Sequence, residues 1–469
     1  MSAASKSARL IERDWPAFNC AERPPPVGAE ELRQRIDALR LAMAAQRLSH
    51  TVVYADREHF ANLTYLTHFD PRFEEALLIV SGERVPLLLV GNECAGYVGV
   101  SPLYRSGQLR TERFQPLSLL NQPRDQSRIL REIFAGEAIG KGSRVGCIGW
   151  KYFSESEHPD AEHAIDLPSY MVDTLRALAG YPAVVNATAL LMHPAHGLRA
   201  RCSASEIAYF EYSNGLSSEG MKSMLFGLRP GMVDHELARL AGYNGEPLSC
   251  HMTLVTEANR ELGLSSPVGA RIERGSPLAS NFAYWGSNIC RAGWVAESAR
   301  DLTPPAQDYV EAFAAPYFEA MAEWFRLLRI GTHGGALSAL ISEQLPFERF
   351  HIFLNAGHLT HLDEWVSSPI YPGSQIPLHS GMALQVDVIP SSPVYFSTRM
   401  EDGVALADAP LRKDLERLYP ECYARCQRRR RFMIEELGIE LGEEVLPLSN
   451  TAAIVPPFML RPNQFFAMR

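Results

Sequence analysis

The chain has 469 residues, 46% of them hydrophobic and 21% charged, and a formal net charge of -9. A chain of that length exceeds one compact core, so two domains are expected. The acidic balance argues against a nucleic-acid binder, and no apolar run reaches the roughly 18 residues that a membrane span needs.

Residues 1–13 are polar and mildly basic, with no apolar segment behind them, and read as a disordered start rather than a secretory leader; a cytoplasmic location is the matching expectation. After Pro24, Pro25 and Pro26, helical spacing of Leu32, Ile36, Leu39, Leu41 and Ala44 predicts a helix over residues 30–47. Short β-like runs follow at residues 51–54, 76–80, 85–90 and 144–148, separated by helical or turn segments, which together read as a mixed sheet with helices. The eight cysteines lie far apart except for Cys422 and Cys426, which a helix would place on one face, so neither a disulfide ladder nor a zinc knuckle is indicated.

A seam is expected near residue 198. There His193-Pro-Ala-His-Gly-Leu-Arg gives way to Ser203-Ala-Ser-Glu-Ile, and Ser203 with Glu206 three residues on has the form of a capping box. The second half opens with a long helix over residues 205–228, a turn at Arg229-Pro-Gly-Met, and a new helix from about Asp234. Leu328-Arg-Ile-Gly-Thr-His-Gly-Gly repeats that pattern, which suggests an internal duplication. Arg428 to Arg431 read as a solvated helix end, and residues 441–469, with Pro447, Pro456, Pro457 and Pro462, as an extended tail on the surface.

Potential ligands cluster in three stretches of the second half. They are Asn281 to Arg291, with Asn288 between; Gly357-His-Leu-Thr-His-Leu-Asp-Glu-Trp followed by Gly381-Met-Ala-Leu-Gln-Val-Asp-Val; and Arg399-Met-Glu-Asp-Gly-Val. Asp387 lies between Val386 and Val388 in an apolar strand, where an unpaired carboxylate is costly, so it requires a metal, a proton or an arginine. Arg291 either takes a substrate carboxylate or pairs with Asp387; His251 either points into the same cleft or is a buried structural residue. Tyr284, Trp285, Trp294 and Trp365 either wall a small substrate or pack the core.

In their order these motifs resemble the pita-bread enzymes: methionine aminopeptidase, prolidase, Xaa-Pro aminopeptidase and creatinase. The resemblance spans roughly residues 200–435, and the segment before it looks like the amino-terminal domain of creatinase and the proline-specific members. It implies an α/β chain in which a creatinase-like mixed domain (1–198) precedes a pita-bread α+β domain (199–440) and a tail (441–469), assembled as a homodimer.

In the metal-dependent members two aspartates, a histidine and two glutamates hold two divalent ions. Here Asn281 and Asn288 stand at the aspartates, His358 or the competing His361 at the histidine, Asp387 and Glu401 at the glutamates. An asparagine offers one neutral oxygen, so loss of two charges disfavours a dinuclear centre, while His358, Asp387 and Glu401 still suffice for one ion of Mn, Zn or Co. Creatinase lacks a metal, but its histidine aligns near Ser265 or Ser266. The resemblance therefore implies a hydrolase that cleaves a C–N bond in a small amide, amidine or dipeptide-like molecule. His358, Asp387 and Glu401 would be catalytic, and Asn281, Asn288, Arg291, His361 and His251 would hold the substrate. A catalytically silent, ligand-binding or regulatory protein of the same fold is the alternative.

Overall fold

A computed structural model describes residues 6–469, and the first five positions of the expected disordered start lie outside the described residues. Contacts divide the chain into two compact units, one from Pro26 to Arg199 and one formed by the chain before and after it, up to Pro25 and from Ala200 to Arg469. Strand β1 (Ala8–Glu12) thus belongs to the second unit, in a stretch expected to be disordered.

The first unit holds β2 (His50–Ala55), β3 (Ala76–Ser81), β4 (Leu87–Val90), β5 (Arg110–Arg113), β6 (Val145–Ile148) and β7 (Val184–Asn186), in the order β5-β4-β3-β2-β6-β7. Strands β2, β6 and β7 run parallel, whereas β3 is antiparallel to β2 and β4. The central strands are almost wholly buried, so they read as apolar runs without alternation. One face, through Val52, Leu77, Ile79 and Leu89, packs on Phe134, Met171 and Leu175. Each such side chain contributes roughly 1.5–3 kcal/mol by leaving water.

The second unit contains β8 (Leu254–Val255), β9 (Pro277–Phe282), β10 (Ile289–Trp294), β11 (His358–Leu359), β12 (Ala383–Gln385), β13 (Arg399–Glu401), β14 (Gly403–Leu406), β15 (Val445–Pro447) and β16 (Gln464–Met468). They form two four-stranded sheets, β13-β10-β9-β8 and β11-β12-β14-β15, and the pair β1-β16. The long helix Ala204–Gly227 starts at a full capping box, with the Ser203 side chain accepting from Glu206 N–H and the Glu206 carboxylate accepting from Ser203 N–H.

The duplicated turn is visible in hydrogen bonds. Gly231 N–H donates to Ile272 O, Ile272 N–H to Met232 O and Asp234 N–H to Ala270 O; Gly331 N–H donates to Leu378 O, Leu378 N–H to Thr332 O and Gly334 N–H to Ile376 O. Both turn glycines have positive φ, 87° and 90°, which explains their identity.

Two expectations fail in this unit. The basic run is solvated only in part: Arg428 and Arg431 are exposed, but Arg429 is buried and, with Arg425, clasps the buried Glu211 at 2.6 Å and 2.5 Å, while Arg430 donates to Gly442 O and Val445 O. Nor is the end of the chain a surface tail, because β15 pairs with β14, β16 pairs with β1, and Phe466 stacks on Phe318 at 5.6 Å. Its apolar residues fill core space, and strand pairing satisfies the backbone that prolines leave available. Among the described residues no helix is long and apolar enough to cross a membrane.

Candidate active site

Three strands of one sheet set the floor of the site. Register places Glu401 of β13 beside Cys290 of β10, and Cys290 beside Asn281 of β9, so these three side chains share one face. Asn288 precedes β10 by one residue and lies within reach of both ends of this row. Its Nδ2 donates to Glu401 Oε1 at 2.8 Å, and its Oδ1 accepts from Asn281 Nδ2 at 3.1 Å. Asn281 Oδ1 in turn accepts from the backbone N–H and hydroxyl of Thr253.

The other sheet supplies the remaining members. His358 opens β11, and Asp387 lies two residues beyond β12; one ligand atom from each of His358, Asp387 and Glu401 falls within 4.8 Å of the others, and all three are buried. His358 Nε2 is 3.0 Å from Glu364 Oε1 and 3.9 Å from Asp387 Oδ2. Trp365 stacks on the imidazole with centroids 4.0 Å apart, so of the four expected aromatic walls this one touches the cluster. Trp294 and Tyr284 are buried in aromatic packing with Tyr309 and Phe282.

The electrostatics divide these groups. Burial lifts Glu401 well above the ordinary carboxylate range, and the charges of Asp387 and Glu364 add to that, against Arg399. Burial likewise raises Asp387 to about 6, although His358 opposes the shift. For Glu364 burial also favours the neutral acid, but the charge of His358 and hydrogen bonds from His358, Asn288 and Glu401 outweigh it and hold the group below its usual range. His358 is the converse: burial disfavours its cation, yet Glu364 and Asp387 raise it. The cluster thus favours the neutral acid at Glu401, the carboxylate at Glu364 and the cation at His358. The Nδ1 of His358, 3.2 Å from the Leu359 carbonyl, carries the second ring hydrogen, since a carbonyl only accepts.

The sign of the Asp387 shift gives a test. With a folded value of about 6 against about 3.9 unfolded, the native state keeps a proton that the unfolded chain releases. That contribution is complete below pH about 4 and is lost as pH rises to 6. Asp387→Asn removes it, so the stability of the variant relative to wild type should climb by on the order of 3 kcal/mol across this interval and then level off. Chemical denaturation at fixed pH values measures the difference, and a difference independent of pH would refute the shift.

Three predicted site residues lie elsewhere. Arg291 does not pair with Asp387 or face a substrate: wholly buried, it binds Asp402 Oδ2 at 2.8 Å and the carbonyls of Ile454 and Cys290. His361 is directed away, with Nε2 2.9 Å from Glu206 Oε1, in a second buried group with Cys202. His251 is exposed and touches Asn281 through its carbonyl only. Ser265, at the creatinase histidine position, donates to Ser266 O within its own loop.

Two members were not foreseen. Glu364 stands three residues after His361 in the histidine motif, and its 22% exposure makes it the part of the cluster that reaches solvent. Arg399, two residues before Glu401 on β13, places a cation beside Asp387 and Glu401; strand alternation was the available signal.

The donor set also decides what metal it suits. Both asparagine oxygens are taken by protein donors, so two ions lack ligands. One ion does fit His358, Asp387 and Glu401, and Asp387 Oδ1, buried without a hydrogen-bond partner among the described residues, is an available donor.

No family model matches the chain, and no curated protein matches its sequence. Solved structures do match in shape. Prolidase from Pyrococcus horikoshii OT3 superposes with a TM-score of 0.60 at 16% identity, covering 80% of this chain and 95% of its own. Xaa-Pro dipeptidase from Bacillus anthracis gives 0.60 at 15%, covering 81% and 96%. A variant of Escherichia coli aminopeptidase P gives 0.55 at 13%, covering 86% and 100%. The chain has the pita-bread fold of these proteins, as its motif order predicted.

Proposed function

We propose that this chain is a hydrolase that cleaves a C–N bond in a small amide, amidine or dipeptide-like substrate, by acid and base catalysis without a dinuclear metal centre. The observation that carries the reading is the buried meeting of His358, Asp387 and Glu401, with Glu364 bound to it. The printed names of the structural neighbours, prolidase, Xaa-Pro dipeptidase and aminopeptidase P, support C–N cleavage as the reaction type. The homodimer implied by the resemblance and the cytoplasmic location expected from the sequence belong to the same proposal.

Above pH about 6 Asp387 is a carboxylate and suits the general base that takes a proton from water as the oxygen attacks the substrate carbon. Glu401, still protonated, gives its proton to the departing nitrogen as the C–N bond breaks. Asp387 then returns a proton to Glu401 and the cycle closes. His358, charged and fixed by Glu364 and Trp365, faces the negative charge that develops on the attacked group. Asn288 fixes Glu401, and Asn281 fixes Asn288.

An ion held by His358, Asp387 and Glu401 would supply Lewis-acid polarisation in the same place. It would need Glu401 ionised and His358 neutral, which is the opposite of the protonation the cluster adopts by itself. Elemental analysis of gently purified protein, with thermal unfolding in added manganese, zinc or cobalt, separates these cases. No stoichiometric metal and no stabilisation is the expected result. One ion per chain, with about 2.7 kcal/mol of stabilisation at a hundredfold excess over Kd, would overturn the metal-free mechanism.

A further inference from the structure

The stretches that carry Asp387 and Glu401 face each other, and their ladder changes character beside that pair. Strands β12 and β14 pair Ala383 with Ala405, Leu384 with Val404 and Gln385 with Gly403. Continued one residue at a time, this register sets Val386 against Asp402, Asp387 against Glu401 and Val388 against Met400. The first of these pairs keeps a direct bond, from Val386 N–H to Asp402 O at 3.0 Å. Antiparallel strands exchange such bonds at every second residue, so the next belongs to Val388 and Met400.

A side chain occupies the place of that bond. The Tyr317 hydroxyl accepts from Met400 N–H at 3.0 Å and donates to the Val388 carbonyl at 3.1 Å, with Met400 O the longer alternative acceptor at 3.4 Å. Two hydrogen bonds in series span more than the roughly 2.9 Å of one direct N–H to carbonyl bond, so the hydroxyl holds the two stretches apart. Asp387 and Glu401 therefore lie between a pair joined directly and a pair joined through Tyr317.

Tyr317 is itself held firmly. It belongs to the helix Ala315–Leu327, is wholly buried, and shares a helix face with Trp324 seven residues on. Trp324 Nε1–H donates to Ala356 O at 2.9 Å, two residues before His358. One helix thus braces the main chain beside all three members of the cluster. The hydroxyl bonds to backbone groups, so its influence on the carboxyl groups passes through the geometry of the strands.

We propose that Tyr317 is a positioning residue whose hydroxyl, set into this ladder, fixes the separation of Asp387 and Glu401 that the two proton transfers require; the proposal rests on the acid and base reading of that cluster. Steady-state kinetics of the full-length protein test it, on whichever Xaa-Pro dipeptide, small amide or amidine the wild type hydrolyses, with Glu401→Gln measured alongside. Tyr317→Phe keeps the ring and its packing and should lower kcat by about ten- to a hundredfold with KM little changed. Tyr309→Phe removes the same atom from an equally buried ring, one that donates to Ser397 O at 3.0 Å, and should leave kcat within about twofold of wild type. Replacing Tyr317 with 4-aminophenylalanine returns a donor to the same place and should recover most of the rate. Circular dichroism checks that each variant folds. A wild-type rate in Tyr317→Phe beside an inactive Glu401→Gln would overturn this proposal alone. So would an equal fall in Tyr309→Phe, a fall in Tyr317→Phe that lies in KM, no recovery with 4-aminophenylalanine, or failure of Tyr317→Phe to fold, which would assign the hydroxyl to stability. An active Glu401→Gln, or a wild type without turnover on the whole panel, would overturn the acid and base reading and this proposal with it.

Discussion

Glu401→Gln is expected to abolish most turnover, by about 10²–10⁴-fold in kcat, on whichever Xaa-Pro dipeptide, small amide or amidine the wild type hydrolyses. Glutamine keeps the size of the side chain and can still meet Asn288, but it has no acidic proton for the leaving nitrogen. The fold should therefore persist and KM should change little. His358→Ala should lose activity by a comparable factor for a different reason, since it removes the cation that faces the reacting group and frees Glu364.

The pH profile separates the roles. In wild type kcat should rise as Asp387 ionises around pH 6 and fall on the alkaline side, where Glu401 finally loses its proton. Glu401→Asp should retain part of the rate with the same general shape. If Glu401→Gln keeps activity within a few fold of wild type, the carboxylic acid is not the proton donor and the acid and base mechanism fails. If neither wild type nor variants turn over any member of such a panel while ligands still bind, the chain is a binding protein of this fold.

What could be read in advance was mostly local. Ser203 and Glu206 announce a helix start because the capping box is a contact over three residues, and the turns at Gly231 and Gly331 announce themselves because positive φ favours glycine. Asp387 could be singled out because a carboxylate between two valines has to find a partner wherever the chain runs. The identity of that partner depends on register across strands far apart in sequence. Arg291 and Asp387 look complementary on paper, yet β10 alternation turns Cys290 to the cluster and Arg291 to the opposite face, toward residues 402–454. Arg399 takes the place expected for Arg291 because it shares parity with Glu401. His358 and His361 are three apart, and the turn that begins after β11 sends one to Asp387 and the other to Glu206. The same limitation hid the fate of Arg429, whose partner Glu211 lies on another helix.

Arg291→Met should destabilise the protein by about 3–5 kcal/mol, because it strands the carboxylate of Asp402 in the interior. Both members of the pair are almost completely buried, with side-chain exposures of 1% and 4%. Asp402 keeps Thr451 and the Ala453 N–H as donors, but no cation. Those donors sit in a turn where Ala452 and Ala453 both have positive φ, 40° and 61°, a conformation that costs an alanine free energy and needs the surrounding contacts to hold it. Arg291 also donates to the carbonyls of Cys290 and Glu401, so the pair ties β10, β13 and that turn into one block beneath the acidic cluster. The double variant Arg291→Met, Asp402→Leu should be less destabilised than the sum of its two single changes, because the orphaned charge disappears with its partner. Urea denaturation of the four proteins measures this. Strict additivity would mean that the two residues act independently and that the block does not depend on their charge pairing.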